Sequence, residues 1–199
     1  MRQTVIGYFE SWSLLRRGCA NRDISSIRYD SLTHINVAFG YIEPDSYDIY
    51  PIHGASIAGF KGITDLKQHA PNLQVWLSLG GWSFSDNDTD TQPVFGDLSS
   101  TVDKRFRFFT KLENFMLEWG FDGVDIDWEY PSAPDRRGRP QDKENYVSLL
   151  REMRDYFSSA HRGWGISFAA PASYWYLQHF DIGEMIKYVD WMNLMTYDL

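Results

Sequence analysis

Asp125, Asp127 and Glu129 occupy alternate positions in the stretch 121–131, between Phe121 and Pro131. With a period of two they share one face of a strand, and Val124, Ile126 and Trp128 share the other. Same-face neighbours lie about 6.6 Å apart at the backbone, from a rise of roughly 3.3 Å per residue, a gap that side chains can close. Three carboxyls that close cannot all ionise cheaply, so at least one must keep its proton to a higher pH than usual. A carboxylic acid protonated near neutrality is what general acid catalysis requires. Two plainer readings fit less well. A solvated acidic face would not be set among flanks as large and apolar as Phe121, Trp128 and Tyr130. A calcium loop needs its acids in a glycine-turned loop with a glutamate further on, whereas these acids alternate with core-type residues.

Positioning such a face needs a sheet. A β-rich apolar run over 4–9 reads as a first strand, with Glu10, Ser11 and Trp12 at its exit. A helical turn is expected over 23–29. A second strand covers 33–39, closed by Gly40, and the proline-bearing loop 43–56 is expected at the surface. Ile57, Phe60, Ile63 and Leu66 give helical periodicity over 57–69, stopped by Pro71. A third strand over 73–79 ends in Ser78, Leu79, Gly80, Gly81 and Trp82, where the glycines admit close backbone approach or positive φ. Residues 86–99, with Pro93 and Gly96, read as a polar loop. Ser100 or Thr101 then caps a long helix with the stripe Val102, Phe106, Phe109, Leu112, Met116 and Trp119, ended by Gly120. The acidic strand follows at once. The loop 131–140 carries Arg136, Arg137 and Arg139, a cluster of a kind more often solvated than functional. A second amphipathic helix over 143–159 turns Tyr146, Leu149, Leu150, Met153 and Phe157 inward. A fifth strand covers 164–170, Asp181 caps a helix through Val189, and a sixth strand covers 191–197.

Strands alternating with helices argue for a parallel α/β sheet. The polar clusters Glu10 and Ser11, Ser78 to Gly81, Asp127 and Glu129, and Tyr197 and Asp198 all fall at the carboxyl ends of strands. Barrels place their sites there. Doubly wound sheets obey a similar rule, but no Gly-x-Gly-x-x-Gly turn follows the first strand.

Composition narrows the partners. The 199 residues suit one domain, and eight Trp, twelve Tyr and thirteen Phe are many for this length, which fits a bulky core as well as a sugar cleft. Some of these rings are candidates to stack on the flat apolar faces of sugars. A net charge of −8, from 19 basic and 27 acidic residues, disfavours nucleic-acid and anionic-membrane partners and suits a neutral polymer. Cys19 is the lone cysteine and leaves the redox compartment open. The five histidines are scattered, so no metal site and no cofactor are expected. No apolar run reaches membrane-spanning length, and strand-like residues from Thr4 onward leave no room for a signal peptide.

The chain resembles glycoside hydrolase family 18, the chitinase family. Asp122, Asp125, Asp127 and Glu129, with Gly123 after the first acid, match its Asp-x-x-Asp-x-Asp-x-Glu signature. Ser78, Gly80 and Gly81 match its Ser-x-Gly-Gly motif, and Met195, Thr196, Tyr197 and Asp198 match its strand-six motif. The likeness covers nearly the whole chain. Residues 8–12 and 33–40 look most like the fungal class V chitinases related to killer-toxin subunits.

This resemblance implies an α/β fold of TIM-barrel type, (β/α)8, with about six of the eight strands in residues 1–199, read as the N-terminal part of one catalytic domain. It implies hydrolysis of β-1,4 bonds between N-acetylglucosamine units in chitin, with retention, extracellularly, by a protein monomeric as a complete domain. The residues alone would allow Asp127 and Glu129 the acid and nucleophile roles of ordinary retaining glycosidases. The resemblance implies substrate assistance instead, with the sugar's 2-acetamido oxygen attacking the anomeric carbon. Glu129 would then be the acid. Asp127 would hold the acetamido N–H, Asp125 would share a proton with Asp127, Tyr197 would bond the acetamido oxygen, and Asp198 would position the distorted sugar. Tyr8, Gly80, Gly81, Trp82, Tyr130 and Met195 are candidates for substrate contact, with Ser78, Asp122 and Gly123 in support; barrel core is the competing place for Tyr8 and Trp82. Two other outcomes fit a resemblance of this kind: a chitin-binding, lectin-like member without catalysis, and an endo-β-N-acetylglucosaminidase acting on N-glycans. With six strands of eight, and without the tryptophan that the family draws from its eighth strand, the isolated chain is expected to be poorly soluble and to have little or no activity.

Overall fold

The computed structural model describes residues 3–15, 24–52 and 54–197. Cys19, Asp198 and the first residue of the turn expected over 23–29 lie outside them.

Six parallel strands run in the order β1 (Ile6–Glu10), β2 (His34–Ile42), β4 (Gln74–Gly80), β5 (Gly123–Asp127), β6 (Gly165–Pro171) and β7 (Trp191–Met195). A short β3 (Ile49–Pro51) pairs antiparallel with β2. The sheet is curled. In a flat sheet β1 and β5 would stand about 14 Å apart, three spacings of roughly 4.8 Å. Yet the Tyr8 hydroxyl on β1 donates to Asp125 Oδ2 on β5 at 2.8 Å, and Asn193 Nδ2 on β7 reaches Asp125 Oδ1 at 3.0 Å. Only a barrel-like curve brings both to one carboxylate. The helices are α1 (Ile57–Thr64), α2 (Val94–Leu98), α3 (Val102–Trp119), α4 (Asp142–Ser159), α5 (Tyr174–Leu177) and α6 (Ile182–Met185).

α3 begins where Thr101 Oγ1 accepts from Lys104 N at 3.3 Å and stops at Gly120, which takes a left-handed φ of 78°. Its buried stripe is Arg105, Phe108, Phe109, Leu112, Phe115 and Met116, which corrects the expected one at its start. Val102 and Phe106 are 62% and 58% exposed. The inward position is taken by a charge: Arg105 Nε and Nη2 grip the Glu152 carboxylate of α4, both at 2.7 Å, and Nη1 donates to Ser99 O at 2.6 Å. A paired arginine buries like an apolar residue, so a stripe of apolar residues alone rotates the helix the wrong way.

Three loop expectations also change. Residues 86–99 contain α2, because Pro93 at a helix start gives up no needed hydrogen bond, and its Phe95 stacks on Trp128 at 5.5 Å. The loop 43–56 is not all surface: Tyr47 is buried and its hydroxyl bonds Asp97 at 2.5 Å. β2 continues past Gly40, with a register shift between Ala38 and Gly40 that sets Phe39 apart from the ladder. The remaining elements fall near their expected spans, although α6 stops at Met185 rather than Val189.

The end of the barrel away from the acids is plugged by Trp76, stacked on Trp191 at 4.2 Å with the His34 ring edge-on at 5.4 Å. A Cβ on Gly123 or Gly165 would overlap the Trp76 ring. Gly123→Ala and Gly165→Ala are each expected to destabilise the fold by about 1–3 kcal/mol, the usual cost of an overfilled core. Unchanged thermal melts in both variants would contradict this plug. Asp122, at the same end, ties strands rather than reaching the site: Oδ2 accepts from Val75 N at 2.8 Å and Oδ1 pairs with Lys67 at 2.8 Å.

Candidate active site

The period of two along β5 aims Val124 and Ile126 at the outer layer, and Trp128 continues that face against Phe95 and Tyr146. Asp125, Asp127 and Glu129 turn inward, and all three are buried. Asp125 is the deepest. Its Oδ2 accepts from the Tyr8 and Ser78 hydroxyls, both at 2.8 Å, and its Oδ1 from Ser167 Oγ at 2.7 Å and Asn193 Nδ2 at 3.0 Å. Four donors on two oxygens suit a carboxylate. The charge of Asp125 is felt at Asp127.

Asp127 stands one step nearer the barrel mouth. Burial pushes its carboxyl well above the ordinary range, and the neighbouring charges of Glu129 and then Asp125 add to the rise. Its Oδ1 is buried without a protein partner among the described residues. Glu129 is also raised, by burial first, against the lowering effects of a hydrogen bond from Tyr130 and the charge of Arg136. The two carboxyls are therefore unequal partners that favour holding protons over sharing two negative charges.

Ser78 serves Asp125, and Gly80 and Gly81 build the seat of Asp127. Gly81 N donates to Asp127 O at 2.9 Å. A Cβ on Gly80 would overlap that same oxygen, and one on Gly81 would come within 2.7 Å of the Phe39 ring; both glycines have positive φ, 108° and 87°. Neither lines the cleft. What the structure shows for them is this backbone contact with Asp127 and Phe39.

That cleft, of about 530 Å³, has Asp127 and Glu129 on its floor and Trp82, Tyr130, Met195 and Tyr197 among its walls. Trp82 and Tyr197 are 49% and 65% exposed, so the competing placement of Trp82 in the core falls away. Tyr8 is placed differently. Its hydroxyl donates to Asp125, while the residue as a whole is 45% exposed, so it supports the acids from an open position rather than from the core.

Several residues escaped the sequence. Phe39 and Tyr176 also line the cleft, with Tyr176 stacked on Tyr130 at 4.0 Å and its hydroxyl on Asp135 at 2.7 Å. Ser167 and Asn193 hold Asp125. Their signal was present, since each is a polar residue inside an otherwise apolar strand. Arg136, expected in solvent with its basic neighbours, is buried and donates from Nε to Glu129 O at 3.0 Å.

The raised carboxyls make stability depend on pH. Groups whose proton affinity is higher folded than unfolded favour the folded state at low pH, and that contribution fades as pH rises through the folded values. Wild type is therefore expected to lose stability relative to Asp127→Asn between about pH 4, the ordinary carboxyl value, and neutrality. Denaturant melts across that range check it; parallel curves would contradict it.

A family model described as glycosyl hydrolases family 18 matches residues 4–199. The Probable chitinase LysM18 of Penicillium expansum is 36% identical over 98% of this chain, which covers 13% of that protein. The killer toxin subunits alpha/beta of Kluyveromyces lactis are 40% identical over 61% of this chain, the match covering 11% of that protein. Catalytic domain 2 of the Ostrinia furnacalis Group II chitinase, solved as a mutant in complex with (NAG)5, superposes with a TM-score of 0.87 at 28% identity. That match covers all of this chain and 51% of the solved domain, so the chain spans about half of it.

Proposed function

The chain belongs to the glycosyl hydrolases of family 18, and from that premise we propose that its cleft hydrolyses β-1,4 bonds between N-acetylglucosamine units, with retention and with the substrate's own acetamido group as nucleophile. The observation that carries this reading is the pair Asp127 and Glu129. Both are buried, both are pushed toward the protonated form, and both sit on the floor of an aromatic-walled cleft.

Glu129 is the acid. It gives its proton to the glycosidic oxygen as the bond to the anomeric carbon breaks, while the acetamido oxygen forms a bond to that carbon from the opposite side. Asp127, which lines the cleft, accepts the acetamido N–H on its carboxyl oxygen and keeps that hydrogen bond as the N–H grows more acidic in the oxazolinium. Glu129, now a carboxylate, takes a proton from water, whose oxygen opens the ring and restores the acetamido group. Asp125, pinned by four donors, adds the negative charge that favours the protonated form of Asp127. Tyr197, which lines the cleft, bonds the acetamido oxygen in this reading. Trp82 and Tyr130 offer ring faces to the sugars. In this reading the parallel strands are part of a (β/α)8 barrel that acts outside the cell.

A panel of soluble chitin oligomers and glycoprotein N-glycans tests the proposal, run on the chain joined to the remaining strands of a relative's catalytic domain. Shortened oligomers are the expected result. Binding without cleavage, or cleavage of N-glycans alone, would overturn it.

A further inference from the structure

We propose that Arg136 is a positioning residue whose guanidinium joins the Trp82 ring and the Glu129 backbone into one rigid unit, so that the sugar-stacking surface and the acid keep a fixed relation. The inference rests on the reading of Glu129 as the acid and Trp82 as a sugar platform.

Arg136 ends a helical turn, Pro134–Arg136, in a loop whose composition points to solvent. It is nevertheless 5% exposed. Its fork is used in three directions: Nε donates to Glu129 O at 3.0 Å, Nη1 to Asp86 Oδ1 at 2.8 Å and Nη2 to Trp82 O at 2.9 Å. The guanidinium carbon also lies 3.9 Å from the centre of the Trp82 ring. One face of that ring is therefore covered by a cation, which leaves the other for the cleft that Trp82 lines. Burying a guanidinium is costly unless its donors are satisfied. Here two of the three partners are the backbone carbonyls of the two residues that carry the site.

The loop is itself held. Gln92 Nε2 donates to Arg136 O and Asn87 Nδ2 to Asp135 O, each at 2.7 Å, and the Tyr176 hydroxyl donates to Asp135. Arg137 next door differs: it is exposed and meets only the exposed Asp88, at 2.6 Å. Among the described residues Asp127, Tyr130, Tyr176 and Arg136 act electrostatically with Glu129, and Arg137, Arg139 and Asp142 line a small pocket with it; Arg136 is the cation whose charge is felt at its carboxyl. Its charge opposes the rise that burial imposes on Glu129.

Charge and fork can be separated, because lysine keeps the first and loses the second. The test compares Arg136→Met, Arg136→Lys and Arg137→Met in the 199-residue chain. The Glu129 carboxyl is titrated by carbon-13 NMR, and affinity for an N-acetylglucosamine tetramer is read by tryptophan fluorescence. Arg136→Met is expected to move the Glu129 titration upward by about one pH unit, as loss of a close opposite charge does. It is also expected to weaken tetramer binding by roughly tenfold, as loss of a cation–π contact and its hydrogen bonds does. Arg136→Lys is expected to restore the titration and leave binding weak. Arg137→Met should change neither.

An unchanged Glu129 titration with unchanged binding in Arg136→Met would overturn the proposal. So would unfolding of both Arg136 variants, which would make the residue a stability element only. If the unmodified chain binds no tetramer, the chitin reading fails, and the Glu129 titration still decides the part assigned to Arg136.

Discussion

Glu129→Gln is expected to lower cleavage of N-acetylglucosamine oligomers by roughly 10²–10⁴-fold relative to an active wild type, the usual worth of a general acid–base group. Binding should survive. Glutamine keeps the shape of the side chain and removes only the transferable proton. The segment around it is held through the backbone, by Arg136 Nε on the carbonyl at 3.0 Å and by Ser85 Oγ near the amide at 3.4 Å. The carboxyl itself meets only its neighbour Tyr130 among the hydrogen-bonding groups that shift it, so the segment does not depend on it for its place. Because burial raises Glu129 above the ordinary carboxyl range, the acid remains loaded further toward neutrality than an exposed glutamate would. Cleavage should then fall as pH rises through that raised value. Full activity in the variant would refute the assignment of the acid.

The second large effect concerns the substrate. A fully deacetylated oligomer is expected to pass through the cleft uncut, because it carries no acetamido oxygen to attack the anomeric carbon. The motive lies at Asp127, a protonation-prone carboxyl with one oxygen buried and unpartnered among the described residues. Asp127 lines the cleft, where a substrate N–H can meet its carboxyl and supply the partner that a buried polar group normally has. Asp127 as the enzyme's own nucleophile would want the ionised form, which burial and the charges of Glu129 and Asp125 all oppose. Product analysis by mass spectrometry checks this. Efficient cleavage of the deacetylated oligomer, or a sugar ester trapped on Asp127, would favour the two-carboxylate mechanism instead.

The acids were legible in the sequence because strand geometry alone divides odd from even positions, and Asp125, Asp127 and Glu129 needed no distant partner to be sorted inward. Gly120 and Thr101 were legible for a similar reason, since helix ends are local. The errors arise where a residue's place depends on something far along the chain. Arg105 faces inward because Glu152 awaits it 47 positions later, and no local stripe contains that fact. Arg136 reads as one of three exposed arginines until Trp82 and Glu129 are brought beside it. Tyr8 looks like a wall residue until the curl of the sheet delivers its hydroxyl to Asp125. The close approach that Gly80 and Gly81 allow is visible only when the Asp127 carbonyl and the Phe39 ring fill the space that side chains would need.

The central claim is retaining hydrolysis with Glu129 as acid and the substrate's acetamido group as nucleophile. Proton NMR of an N-acetylglucosamine oligomer during digestion tests it most directly, because the configuration of each new reducing end is visible before it equilibrates. Two displacements at one carbon predict that the β anomer appears first and the α anomer only later, by mutarotation. The α anomer appearing first, or no new reducing end from an oligomer that demonstrably binds, would contradict the account.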